Sequence, residues 1–195
     1  MFSDHKYCCV GQQPSRSRRG VHPTVHHKLI PTADYQFIIE VMKRCEKAYF
    51  AYCDTKEISR IIKSRESVPF KTMGMEMVND NVHGNFRTHA SCCKVFGAME
   101  FRKNNHLRCH VDDDFCHSIM TVHVNGKKYE DDNSVVVYFC FPRLVLTVPL
   151  CPGDALIFNP REEHALSSRC DNETEVYTIS FYLKTAVVVL NDNDV

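Results

Sequence analysis

From Val95 onward the apolar residues of this chain come in short runs, each closed by Gly, Pro, Asn or Asp. The runs are Val95–Arg102 (VFGAMEFR), Leu107–Val111, His117–Val124 (HSIMTVHV), Ser134–Phe141 (SVVVYFCF), Leu144–Leu150 (LVLTVPL), Ala155–Asn159 (ALIFN), one beginning at His164, and Val176–Leu183 (VYTISFYL). They are short and rich in β-branched and aromatic residues, so they predict strands rather than helices. Breaks fall at Lys103-Asn104-Asn105, Asn125-Gly126, Pro142-Arg143, Pro152-Gly153-Asp154 and Pro160-Arg161-Glu162-Glu163. Many short strands with turn signals between them predict a sandwich or closed jelly roll, a core spanning residues 95–190.

Ahead of that core the period changes. Phe37, Ile38, Val41, Met42, Cys45, Ala48, Tyr49 and Tyr52 fall on one helical face after a cap at Thr32 or Asp34. A second, shorter helix is predicted after Thr55, with Ile58, Ile61 and Ile62 inward and an end near Ser67-Val68-Pro69. Helices are thus expected within residues 34–67, their apolar stripe packed on the core. Residues 69–92 turn polar and lose periodicity, with Gly74, Asn79, Asn81, Gly84 and Asn85, which predicts a variable loop acting as a lid or as a plain connector. Residues 1–30 hold Arg16, Arg18 and Arg19 among Ser, Gln and Pro, and read as a flexible basic leader, either a solvated tail or a small contact arm. The expected organisation is that leader followed by a single domain over residues 31–195.

Composition removes several classes of function. Lys plus Arg and Asp plus Glu are equal at 24 each, so no global field draws the chain to nucleic acid or to an anionic membrane, and partner choice falls to local patches. No apolar run approaches the roughly 18 residues a spanning helix needs, and the N-terminus lacks a secretory apolar core. The expectation is an intracellular protein, cytoplasmic or nuclear, with no membrane partner. The cysteine count of 11 is odd, and the adjacent pairs Cys8-Cys9 and Cys92-Cys93 suit no disulfide framework. Most thiols then read as small buried apolar groups. A zinc site on Cys109, Cys116 and His117 is the other reading, set back by the want of paired ligand knuckles.

The chemistry gathers between Cys109 and Arg169. His110 and Asp112 lie two residues apart, and in extended chain side chains two apart point to one side. His164 opens a strand directly after an apolar run and a turn. Brought beside the first two, it completes two imidazoles and one carboxylate on one face of a metal, the facial triad of non-haem iron(II) oxygenases. Asp113 and Asp114 read as a solvated turn, and His106, His117 and His123 as surface or hydrogen-bonded histidines.

Three matching segments, His110-Val111-Asp112, then Val148-Pro149-Leu150-Cys151-Pro152-Gly153-Asp154-Ala155-Leu156-Ile157-Phe158, then His164, resemble the iron(II)- and 2-oxoglutarate-dependent dioxygenases with a double-stranded β-helix core. The resemblance covers residues 95 to 185, and it implies a mainly β fold, a jelly-roll core buttressed by N-terminal helices. It implies His110, Asp112 and His164 as catalytic iron ligands, and iron(II) and 2-oxoglutarate as cofactors. Members usually hold the co-substrate carboxylate with an Arg or Lys on the strand after the distal histidine. Here that strand has Thr178 and Ser180 where an Arg-x-Ser pair is expected. Arg169 and Lys184 flank it and are the candidates for that charge, with Arg143 and Lys94 as further sources.

The function expected from these residues is an iron(II)/2-oxoglutarate dioxygenase that hydroxylates or otherwise oxidises a small molecule, a protein or a nucleic acid. The departure after His164 keeps two alternatives open: a silent jelly-roll binding module, and a metal-dependent oxygenase that uses no 2-oxoglutarate.

Overall fold

The computed structural model describes residues 7–14, 21–23, 32–66, 77–80, 85–88, 95–125, 134–168 and 174–185. The helical pattern ahead of the core forms α1 (Thr32–Tyr52) and α2 (Thr55–Glu66). Between them Asp54 restarts the helix: its Oδ1 accepts the Lys56 N–H at 2.7 Å and its carbonyl accepts the Ile58 N–H at 3.0 Å.

The strands are β1 (Tyr7–Pro14), β2 (Val21–Pro23), β3 (Met77–Asp80), β4 (Asn85–Thr88), β5 (Ala98–Lys103), β6 (His106–His110), β7 (Ser118–Asn125), β8 (Val137–Phe141), β9 (Leu146–Leu150), β10 (Ala155–Phe158), β11 (His164–Ser168) and β12 (Glu175–Tyr182). Among the described residues they make a six-stranded sheet in the order β10-β7-β12-β5-β1-β2, a four-stranded sheet β6-β11-β8-β9, and a separate hairpin β3-β4. Neighbouring strands pair antiparallel throughout.

Alternation along the large sheet divides the core into two layers. Met99 and Phe101 of β5, Ile119 of β7, and Ile179 and Phe181 of β12 turn to one face, where Val41, Met42, Cys45 and Tyr49 of α1 and Ile58 and Ile61 of α2 cover them. The helical stripe read from the sequence is this packing surface except at its end, where Tyr52 is 83% exposed in the last turn of α1, beyond the sheet it was expected to pack on. The opposite face presents Met120, Val122 and Val176, which meet Val137, Phe139, Phe141, Leu150 and Leu166 of the small sheet. Two antiparallel sheets closed over that second layer form a double-stranded β-helix, with both helices outside it.

Two segments depart from the sequence expectation. Within the leader expected to be flexible, Tyr7–Pro14 is a strand paired with β5 in the register Cys9↔Glu100. The β-prone run Tyr7-Cys8-Cys9-Val10 meets an edge of β5 that would otherwise leave its N–H and C=O groups unpaired. Within the segment expected to be an unstructured variable loop, β3 and β4 pair Met77↔Thr88 through Asp80↔Asn85.

Two tight turns close the core. At the Pro152-Gly153-Asp154 turn Gly153 has φ 89, a conformation open to glycine at little cost, and Asp154 Oδ2 accepts the Cys151 N–H at 2.7 Å. Between β8 and β9, Pro142–Leu144 forms a 3-10 turn that ends on Val145 at φ 51 and ψ 38. Val145 is 94% exposed there, a β-branched residue in left-handed backbone with no packing around it.

Candidate metal centre

β6 and β11 run side by side, and their register carries His110 opposite His164. Further along the same ladder Leu166 stands opposite Leu107. The pairing therefore shifts by one residue on the β6 side, between Leu107 and His110. Strict alternation would send those two side chains, three residues apart, to opposite faces. The extra residue resets the phase, so Leu107 packs in the inner layer while His110 also lines the inner cavity.

Asp112 follows just beyond the strand, and its N–H donates to the Pro160 carbonyl at 2.9 Å, tying the H-x-D segment to the turn that delivers His164. Asp112 Oδ2 lies 3.6 Å from His110 Nε2 and 3.7 Å from His164 Nε2, and one ligand atom from each residue falls within 4.8 Å of the others. The two imidazoles are 4.4 Å apart between ring centroids. Among the described residues this is the group of His, Cys, Asp and Glu that converges closely enough to hold an ion.

The other ring nitrogens are committed. His110 Nδ1 is 2.7 Å from the Arg108 carbonyl, and His164 Nδ1 is 2.8 Å from the Glu162 carbonyl. A carbonyl only accepts, so each Nδ1 carries a proton and each Nε2 is the ring nitrogen left facing Asp112. That is the tautomer and orientation a metal-ligating histidine needs.

His164 is 3% exposed, stacked on Phe139 at 5.3 Å with an interplanar angle of 9° and met edge-on by Phe158 at 5.2 Å. Burial holds its imidazole below the ordinary histidine pKa, outweighing the Glu162 carbonyl and the nearby carboxylates, which keeps the ring neutral.

Behind Asp112 lies Lys184. Its Nζ is 3.8 Å from Asp112 Oδ1 and 2.7 Å from Asp114 Oδ1, and Ser118 Oγ donates to Asp114 Oδ2 at 2.9 Å. Burial works against the Lys184 charge, but the carboxylates of Asp114, Asp112 and Glu100 prevail and raise its pKa. Asp114, read from the sequence as a solvated turn residue, is instead 3% exposed and is the inner partner of this lysine. Asp113 is exposed, and its carbonyl accepts the Thr185 N–H at 3.2 Å.

The triad lines a cavity of about 330 Å³ between the two sheets. Its wall from the large sheet includes Glu100 and Arg102 of β5, Thr178 and Ser180 of β12, and Lys184. Arg102 pairs with Thr178 and Glu100 with Ser180 across β5 and β12, and the Arg102 guanidinium forms an ion pair with Glu100. The structure thus brings Lys184, Thr178 and Ser180 into one cavity with the triad. Arg169 and Lys94 lie outside the described residues. Arg143 is at the surface, its Nε donating to Glu163 Oε2 at 3.2 Å.

Arg102 escaped the sequence reading, although it left a signal: Glu100 and Arg102 are charged residues at alternate positions of a strand whose intervening positions are Met99 and Phe101. The zinc alternative is not assembled. Cys116 is buried in the helical layer, Cys109 is exposed on β6, and His117 Nδ1 is 2.9 Å from Glu57 Oε1. His106 and His123 take hydrogen-bonded positions beside Ser167 Oγ at 3.1 Å and Thr121 Oγ1 at 2.9 Å.

No protein-family model and no curated protein matches the sequence. Solved structures do resemble the fold. NgTET1, solved in complex with 5mC DNA, superposes at a TM-score of 0.65 with 12% identity over 95% of this chain and 63% of its own. The chain therefore spans less than two thirds of that protein. A cupin-2 domain protein from Shewanella frigidimarina shares 12% identity at a TM-score of 0.29 over 42% of this chain and 67% of its own. The polyketide cyclase RemF from Streptomyces resistomycificus shares 12% identity at a TM-score of 0.30 over 44% of this chain and 54% of its own. At 12% identity the likeness to NgTET1 is one of fold. Among the described residues, no helix is long and apolar enough to cross a membrane.

Proposed function

We propose that this protein is an iron(II)- and 2-oxoglutarate-dependent dioxygenase, with His110, Asp112 and His164 as the metal ligands. The observation that carries the reading is the convergence of both Nε2 atoms on Asp112 Oδ2 while both Nδ1 atoms are held by backbone carbonyls. Two imidazoles and one carboxylate on one side leave coordination positions open, which suits the donor set of a non-haem iron(II) site. When bound, iron(II) supplies the redox chemistry that couples decarboxylation of a 2-oxo acid to oxidation of a substrate.

The remaining work belongs to the chain's own side chains. The Lys184 charge stands 3.8 Å from Asp112 Oδ1, on the side away from the histidines, and Oδ2 faces them. Phe139, Phe158, Leu166 and Met120 give the cavity an apolar wall beside the buried His164. Three acids (Glu100, Asp112, Asp114) and three bases (Arg102, Arg108, Lys184) line it, so the formal balance is zero. A divalent cation leaves two positive charges, the complement of a dianionic co-substrate. Arg102 is the side chain we assign to its distal carboxylate, with Thr178 and Ser180 as hydroxyl donors beside it on β12. Lys184 is already engaged with Asp114 and suits the supporting role better than the anchoring one.

One observation favours a second reading. Arg102 already has a carboxylate partner in Glu100, and a site whose anchoring cation stays neutralised fits a metal-dependent oxygenase that needs no 2-oxoglutarate. Anaerobic titration with iron(II) and then 2-oxoglutarate separates the two. The expected result is the weak visible charge-transfer band of the chelate, absent in His164→Ala. Iron binding with no band supports the second reading, and binding of neither supports the silent module.

A further inference from the structure

A row of three cations lies outside the metal cavity. On α2, Lys56, Arg60 and Lys63 fall within a sector of about 60° at 100° per residue, opposite Ile58 and Ile61, which pack on the sheet. All three are exposed. Like charges at i, i+4 and i+7 destabilise an isolated helix, so the row is not explained by helix formation.

Lys56 and Arg60 line a cleft of about 360 Å³ between α2, the segment after Asp112 and the turn before His164, and Lys63 continues the row along α2 beyond it. Arg161 enters from the far side, its Nε donating to the Asp114 carbonyl at 3.2 Å and its Nη2 to Thr185 Oγ1 at 3.3 Å. Arg60 is held over the Phe115 ring at 4.8 Å. The acids here are turned to other duties. Glu57 accepts from Tyr49 Oη at 2.8 Å and from the backbone and ring nitrogens of His117 at 3.0 and 2.9 Å, and the Asp114 carboxylate faces Lys184 and Ser118. The cleft therefore presents positive charge on a chain that is neutral overall.

We propose that this cleft docks the phosphodiester backbone of a nucleic-acid strand, with successive phosphates on Lys56, Arg60 and Lys63 and another on Arg161. Three cations in line over about 10 Å of helix suit a linear polyanion better than a single phosphate group. Asp114 lines both this cleft and the metal cavity, so a bound strand passes the rim of the triad. Only this placing of the strand as substrate rests on the oxygenase reading. Docking itself needs no metal.

The test is fluorescence anisotropy of a labelled 20-nucleotide single strand, as DNA and as RNA, and of the DNA duplex, with the purified full chain in the absence of iron and 2-oxoglutarate. Binding should weaken as salt rises. The K56A/R60A/K63A variant, in which alanine preserves helix propensity, should bind about tenfold or more weakly, with a logarithmic salt slope smaller by about 2 on the single strand. A control on α1, K43A/K47A, should leave binding unchanged. The proposal is overturned if the intact chain binds no oligonucleotide at low salt, if the triple variant binds as well as the parent, or if the control loses as much. Binding to phosphatidylserine vesicles in place of oligonucleotides also overturns it, in favour of a membrane surface. Iron binding is measured on the same preparations: its retention where oligonucleotide binding is missing leaves the metal reading standing, and the converse leaves the docking site standing.

Discussion

Arg102 and Thr178 stand directly opposite each other across β5 and β12, both facing the cavity that holds His110, Asp112 and His164. Strand pairing thus sets a cation on β5 beside the β12 position where the family resemblance leads one to expect it. Arg102→Ala should weaken 2-oxoglutarate binding about 10- to 100-fold, the worth of one or two charge-assisted hydrogen bonds, and leave iron affinity unchanged. Calorimetric titration of each ligand in turn checks this. An unchanged 2-oxoglutarate affinity shifts the anchoring role away from Arg102.

The three ligand positions should separate when stability and metal binding are measured together. His110→Ala and Asp112→Ala lose iron while melting close to the parent, because both side chains are partly exposed. His164→Ala loses iron and also about 2–3 kcal/mol of stability, since it empties a buried site between Phe139 and Phe158. Equilibrium denaturation alongside iron titration gives both quantities.

Lys184 and Asp114 should behave as one unit. Lys184→Met leaves the Asp114 carboxylate buried without its cation and should cost about 3–5 kcal/mol. Adding Asp114→Asn should recover much of that loss, so the double-mutant cycle reports a large coupling. Additive losses would mean that the two residues act separately.

Glu175 sets an acid limit on stability. The Lys103 ammonium, the Tyr177 hydroxyl and Asn125 hold its carboxyl down from 4.5 to about 2. A carboxyl whose folded pKa is depressed stabilises the fold above its unfolded pKa, and the contribution fades as pH falls toward the folded one. Glu175→Gln should therefore flatten the stability profile between about pH 4.5 and 2, measured by chemical denaturation at a series of pH values. The same slope in parent and variant would rule Glu175 out as its source.

Val145 should tolerate replacement by glycine with a gain. Left-handed backbone costs an L-residue about 1–2 kcal/mol, while its 94% exposure means there is little packing to lose. After the entropy cost of glycine the net gain should be up to about 1 kcal/mol, read as a higher melting temperature of Val145→Gly.

The sequence made the strands legible because most core runs keep their β-branched residues between turn formers, and the triad legible through the H-x-D segment and the family resemblance, although Asp112 lies beyond the end of β6 and is placed by its N–H bond to Pro160. What it concealed depends on partners distant in the chain. Arg102 meets Thr178 only through the β5–β12 register, and register is set by packing rather than by any local run. Asp114 looked like one more acid in a polar turn, since its burial is decided by Lys184 across an isolated bridge. Tyr7–Pro14 was hidden for a related reason: its apolar stretch is short, stands beside an Arg- and Ser-rich segment, and finds its pairing partner at β5.

The facing of His110 and His164 has a mechanical side as well. β6 is the outermost strand of its sheet, and β11 is its sole neighbour among the described residues. An ion gripped by one imidazole from each strand becomes a rivet through that last seam. Tearing β6 away would then mean breaking the coordination bond to His164 as well as a few backbone hydrogen bonds, so the seam should exchange its amide protons more slowly as the ion's concentration rises above its dissociation constant. An ion bound at the centre would thereby also fasten the barrel's edge.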